Sequence, residues 1–145
     1  MTKKGKRKQP FHVFLSYAAA DRPYARKLED LLSRRANVDV FTTATLSAGQ
    51  DWQPRLRKEL SKCDVFLVVL SPNSVHSNWV LHQLGAAWAI GKRIIPIVTH
   101  PGISSKIPLA LSETELIEIE DLEKPEIIDQ ILARSERAAA SDTSG

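Results

Sequence analysis

Asp64-Val65-Phe66-Leu67-Val68-Val69-Leu70-Ser71 sets six consecutive apolar residues between an acid and a hydroxyl, the pattern of a strand covered on both faces. A strand with one wet face alternates apolar and polar residues. An unbroken apolar run is what parallel sheets produce when helices pack on each side. Arg93–Thr99 (RIIPIVT) repeats the pattern. Toward the N-terminus, His12–Tyr17 (HVFLSY) and Val38–Thr42 (VDVFT) are rich in β-branched and aromatic residues and supply two further strands. Leu116–Glu120 (LIEIE) alternates apolar and acidic residues, which predicts a half-exposed edge strand.

Helical spacing fills the gaps. Asp21 reads as an N-cap, Pro23 falls in the first turn, and Ala25, Leu28, Leu31 and Leu32 predict a helix of about four turns. Trp52–Lys62 forms a second, with Leu56 and Leu60 four apart and Pro54 tolerated near its start. Ser77 caps a third, whose apolar stripe of Val80, Leu84, Ala87 and Trp88 ends at Gly91. Pro125 opens a last helix with Ile127, Ile128, Ile131 and Leu132 on one side, while Pro101–Ser112 shows no period and reads as loop or weak helix. Strands alternating with helices predict an open, doubly wound α/β domain of flavodoxin-like type, five parallel strands in the order 2-1-3-4-5 with helices on both faces. Ligands of such sheets bind beyond the carboxyl ends of the strands where the winding reverses. That rule selects the loops Ala18–Asp21 and Pro72–Ser77, with Thr43–Asp51 placed to act as a lid.

Composition agrees with one globular domain: 145 residues, 43% hydrophobic and 26% charged. No apolar run approaches the roughly 20 residues of a membrane span, so no membrane association is expected. A single cysteine, Cys63, excludes an internal disulfide framework and a four-cysteine zinc site and favours a reducing, cytoplasmic setting. Met1–Pro10 is basic but no apolar segment follows, unlike a secretory signal. The net charge of +3 is local: Lys3, Lys4, Lys6, Arg7 and Lys8 are five of 20 basic residues, leaving 15 against 17 acidic ones, or −2. The expected organisation is a disordered basic tail over 1–10, a folded domain over 11–137, and a disordered tail or linker stub over 138–145. No direct nucleic-acid role is expected.

Several chemistries fail on their residues. Gly85-AAWAI-Gly91-Lys92 is not a phosphate loop: five residues intervene rather than four, Arg93 replaces the required Ser or Thr, and the segment lies within a helix. A phosphoacceptor receiver needs acidic residues after the first strand, where Ser16, Tyr17 and three alanines stand. His12, His76, His82 and His100 lack metal-ligand spacing, so no metal site is expected. No GxSxG elbow supports a serine nucleophile.

Five motifs in order carry a resemblance. Phe14-Leu-Ser-Tyr17 ends the first strand, Leu46-Ser-Ala-Gly49 lies in the second loop and Ser71-Pro-Asn-Ser74 ends the third strand. Ser77-Asn-Trp-Val-Leu-His-Gln-Leu-Gly-Ala-Ala87 opens the third helix, and Arg93–Val98 follows. Together they resemble Toll/interleukin-1 receptor (TIR) domains from about Phe11 to Val98, with the last strand and helix consistent. The small size and the GAAWAIGK segment look more like bacterial members than animal receptor adaptors.

The resemblance implies either cleavage of NAD+ at its nicotinamide glycosidic bond or signalling by self-assembly. NAD+ would be a substrate, with no cofactor. The WxxxE motif of enzymatic members aligns with Trp79-Val-Leu-His-Gln83, so a glutamine stands where the catalytic glutamate is expected. Gln83 is then either a substrate-trapping substitution or the mark of a natural pseudoenzyme. Read without the family, Gln83 is a surface helix residue, Trp79 a core or interface aromatic, and Trp52 and Trp88 packing residues. The family pattern further places Ala18 and Ala19 against the dinucleotide through backbone groups, and Ser47 and Gly49 in the loop whose opening couples assembly to substrate access. Gly49 reads equally as a turn glycine, and Tyr17 either stacks on a nucleotide ring or closes the sheet. The implied role is an NAD+-cleaving immune or antiphage effector, impaired by Gln83. Its implied partners are NAD+, other TIR domains in a homo-oligomer or filament, and a sensor domain or protein outside this chain. A noncatalytic TIR scaffold is the alternative. A related nucleoside-processing enzyme, deoxyribosyltransferase-like, is a third.

Overall fold

The computed structural model describes residues 9–43, 52–100, 102–103 and 115–133. Five strands, β1 (Phe11–Ser16), β2 (Val38–Thr42), β3 (Val65–Leu70), β4 (Ile94–Val98) and β5 (Ile117–Glu118), alternate with four helices. These are α1 (Arg22–Ser33), α2 (Trp52–Lys62), α3 (Asn78–Ala89) and α4 (Pro125–Leu132). Every strand pair is parallel and the order is β2-β1-β3-β4-β5, the doubly wound arrangement expected from the apolar runs. Of the expected edge strand Leu116–Glu120, only Ile117 and Glu118 pair with β4, before the chain tightens into a 3-10 turn over Ile119–Glu123.

The continuous apolar run of β3 is explained by its two coverings. Val65, Leu67 and Val69 join Leu28 and Leu32 of α1 and Ile128 and Ile131 of α4 in one cluster. Phe66, Val68 and Leu70 join Leu56 and Leu60 of α2 and Val80, Leu84 and Ala87 of α3 in the other. With side chains alternating across the pleat, a half-polar strand there would bury polar groups against one helical layer or the other.

Two expectations about the helices are corrected. Asp21 precedes α1 but its side chain caps none of that helix's amides, because other donors hold the carboxylate. Trp88, expected in the core stripe of α3, is 59% exposed, whereas Gln83, which reads as a surface residue without the family, is fully buried. At 3.6 residues per turn, Val80, Gln83, Leu84 and Ala87 span an arc of about 100°, and Trp79 and Trp88 flank it on opposite sides. Ser77 caps α3 as expected, its hydroxyl accepting the Val80 N–H at 3.2 Å. Gly91 terminates the turn at φ 78, a left-handed conformation suited to glycine, and lets the Lys92 N–H reach the Ala87 carbonyl at 3.0 Å. Ser77→Ala is expected to cost about 1 kcal/mol of stability in urea unfolding.

Cys63 is buried at the end of α2, its thiol donating to the Leu60 carbonyl at 3.2 Å. Burial pushes its pKa up to about 11 against the opposing pull of Lys92. A thiol more basic in the folded than in the unfolded chain stabilises fully below the unfolded pKa, and that contribution fades as pH rises toward the folded one. The parent is therefore expected to lose on the order of 2–3 kcal/mol relative to Cys63→Val between pH 8 and pH 11. Paired urea titrations check this, and a parallel loss in both proteins contradicts it.

Candidate functional site

The carboxyl ends of β1 and β3 form the point where the winding reverses. Ser16, the last residue of β1, shares the pleat face of Phe14 and meets Gln83 of α3 there. The Ser16 hydroxyl donates to Gln83 Oε1 at 2.7 Å, with both residues entirely buried. Among the described residues, Gln83 Nε2 is buried without a hydrogen-bond partner. An unmet buried donor costs about 1–3 kcal/mol, so this amide departs from the usual satisfaction of core polar groups. It is also the residue for which the family resemblance implies the position of the WxxxE glutamate.

Trp79 lies one turn earlier on α3 and is 37% exposed. Its ring meets Trp52 edge-on at 5.3 Å, and its Nε1–H reaches Thr43 Oγ1 at 3.4 Å. Trp79 therefore touches a residue on each side of segment 44–51. Ser47 and Gly49, the other expected loop residues, lie outside the described residues. Trp52, expected only to pack, is the aromatic partner of Trp79.

The pleat separates the remaining candidates. Tyr17 packs, half-buried, on the cluster beneath α1 and α4, on the opposite face of the sheet from Gln83. Ala18 is half-buried against the α2 and α3 cluster, and its carbonyl accepts the Asp21 N–H at 2.8 Å. Ala19 is exposed in the 3-10 turn that follows. The structure thus brings Trp79 and Gln83 onto adjoining sides of one helix, with Ser16 beneath, and leaves Tyr17 on the other side.

A second polar group at this end was not legible in the sequence. Asp21 is buried, and its carboxylate accepts from the Ser71 hydroxyl at 2.5 Å and the Asn73 amide at 3.3 Å. Ser71 Oγ in turn accepts the N–H groups of Asn73 and Ser74 at 3.0 and 3.1 Å, and Ser74 Oγ accepts the Ser71 N–H at 2.8 Å. This network ties the turn after β1 to the loop that leads into α3, and so holds the start of the helix that carries Trp79 and Gln83. A separate cleft of about 140 Å³ opens at the ends of β4 and β5, where Thr99, His100, Glu118 and Glu120 line it. Among the described residues, no three His, Cys, Asp or Glu side chains converge as a metal site requires.

A protein-family model described as TIR domain matches residues 13–132. No curated protein sequence matches the chain. Among solved structures, the chain is similar to the TIR domain of the Toll-related receptor TRR-2 from Hydra magnipapillata. The TM-score is 0.64 at 19% identity, over 81% of this chain and 91% of that one. It is similar to a metazoan TIR-STING receptor from C. gigas in complex with 2′,3′-cGAMP, with TM-score 0.70, 18% identity and 92% of this chain covered. The chain spans only 43% of that receptor. A prokaryotic SEFIR domain aligns with TM-score 0.61 and 16% identity, over 86% of this chain and 94% of that one. At these identities the structural likenesses establish the fold alone.

Proposed function

Because the chain belongs to the TIR domain family, we propose that it is the NAD+-binding domain of a bacterial-type, NAD+-cleaving immune or antiphage effector, with Gln83 leaving this chain weakly active or inactive. The observation that carries the reading is the buried Ser16–Gln83 pair at the reversal point, with one amide end unmet. A ribose hydroxyl both donates and accepts, so it satisfies Nε2, and the neutral amide retains a hydrogen bond to substrate. What the amide lacks is charge. In hydrolysis the C1′–N bond breaks with its electron pair passing to nicotinamide, while a water oxygen bonds to C1′ and releases a proton. Positive charge develops on the sugar in between, and a carboxylate stabilises it where an amide does so far less.

Gln83 is fully covered in this conformation, so the reading assigns the exposure of position 83 to self-association with other TIR domains, driven by a sensor outside this chain. It places the protein in the cytoplasm; among the described residues no helix is long and apolar enough to cross a membrane. The same burial favours a second reading, a noncatalytic TIR scaffold in which Gln83 is a core residue. The deciding experiment measures nicotinamide release from NAD+ by the chain and by Gln83→Glu, both concentrated enough to assemble. Release by the variant supports the hydrolase reading. No release from either protein, with the variant folded and assembled, leaves the scaffold.

A further inference from the structure

We propose that Ser16 is the positioning residue of the site, setting both the orientation and the ionisation of the side chain at position 83. As a role in NAD+ cleavage this rests on the reading above; as a statement about position 83 it stands on the geometry alone. Ser16 ends β1 and pairs in register with Val68 of β3, which fixes its backbone on that side. The other buried residues on its face include Phe14, Val68, Val80 and Leu84, none of which offers a side-chain hydrogen bond. A serine hydroxyl carries one proton, and here it goes to Oε1 at 2.7 Å. That contact holds the oxygen end of the Gln83 amide and leaves Nε2 as the end that meets a ligand.

In Gln83→Glu the same hydroxyl donates to one carboxylate oxygen and leaves the second for substrate. Donation to the charged form also favours it, against burial, which favours the neutral acid. Ser16 touches no substrate; it acts through residue 83.

The test compares Gln83→Glu with Gln83→Glu/Ser16→Ala and Gln83→Glu/Ser16→Thr in the full chain. Without the hydroxyl, the acid limb of the nicotinamide-release profile is expected to move up by about one pH unit. At neutral pH kcat is expected to fall about tenfold with KM little changed, and threonine, which keeps the hydroxyl, restores both. Urea unfolding supplies a readout independent of turnover. The gap between the midpoints of Gln83→Glu and Gln83→Glu/Ser16→Ala is expected to be wider at pH 8 than at pH 4, because only the charged carboxylate needs the donor. A gap equal at both pH values, or an unmoved acid limb, overturns the proposal. A pH-dependent gap without nicotinamide release from any variant supports Ser16 as the residue that sets position 83 and sinks the hydrolase reading instead.

Discussion

Gln83→Glu is expected to release nicotinamide from NAD+ at least about a hundredfold faster than the chain as it stands, equivalent to about 3 kcal/mol of transition-state stabilisation. Glutamate and glutamine share size and reach, so the hydrogen bonds that orient the ribose are largely common to both. The difference is confined to the charge that faces the developing oxocarbenium ion. An interaction stronger in the transition state than in the ground state raises kcat and leaves KM nearly unchanged. Steady-state kinetics separates this from trivial causes: a variant that gained through tighter binding would lower KM at constant kcat. Equal rates for the two proteins, both assembled, remove position 83 from the chemistry.

The same burial gives the substitution a second, opposing consequence. Position 83 is fully buried, and its side chain's hydrogen bond among the described residues is with the neutral Ser16 hydroxyl. A carboxylate there is desolvated, so its folded pKa lies above its unfolded value near 4.3. A raised folded pKa contributes stability that is complete below the unfolded pKa and is lost as pH rises through the folded one. Gln83→Glu is therefore expected to match the parent near pH 4, where the acid is neutral and isosteric with the amide. At pH 8 it falls below the parent by about 1.4 kcal/mol for each unit of elevation. On the proposed reading, charge at this position favours chemistry and disfavours the closed fold, so an assembly that exposed position 83 would relieve the desolvation as it admitted substrate.

How much of this is visible in the sequence depends on the range of the interaction. The strands and their order follow from apolar runs and chain order, and α2 and the Ser77 cap follow from local chemistry within a few residues. Partners distant in sequence do not. Ser16 and Gln83 are 67 residues apart, and Asp21 and Ser71 are 50 apart, so nothing in local spacing pairs them. Asp21 illustrates the competition: an acid before a helix reads as a cap, yet the hydroxyl and amide of the β3 loop take its oxygens. In α3 the apolar character of Trp88 suggested a core position, but the sheet contacts an arc narrower than the stripe of apolar residues. The two tryptophans flank that arc, and Gln83 completes it. Tyr17 follows β1 directly, and its side chain packs on the opposite face of the sheet from Ser16.

Arg93→Ala is expected to lower stability by about 3–5 kcal/mol, a large share of the 5–15 kcal/mol typical of a domain. The guanidinium closes the end of the molecule opposite the candidate site. Nε and Nη2 grip the two oxygens of Glu115 at 3.0 and 3.2 Å, a bidentate pair with both side chains about four-fifths buried. The remaining donors take the last carbonyls of α4: Nη1 reaches those of Ile131 and Ala133 at 2.9 and 3.0 Å, and Nη2 that of Gln130 at 2.8 Å. These carbonyls lie at the last turn of α4, where the Gln130 carbonyl also accepts the Ala133 N–H at 3.3 Å, and the positive charge sits at the negative end of the helix dipole. One side chain thus joins the start of β4, the approach to β5 and the end of α4. Removing it takes a charged donor from a carboxylate that keeps the neutral Gln130 amide at 3.0 Å, and one donor from each of three carbonyls. Arg93→Lys keeps the charge but not the planar fork, since one ammonium cannot serve five acceptor oxygens in those directions, and it is expected to recover less than half of the loss. Arg34→Ala is the control, because its exposed pair with Asp30 at 2.6 Å is worth no more than about 0.5 kcal/mol. In thermal unfolding Arg93→Ala is expected to melt on the order of 10–20 °C below the parent while Arg34→Ala stays within about 2 °C. If the two arginine variants unfold alike, Arg93 is a surface contact and the end of α4 is held by its apolar residues alone.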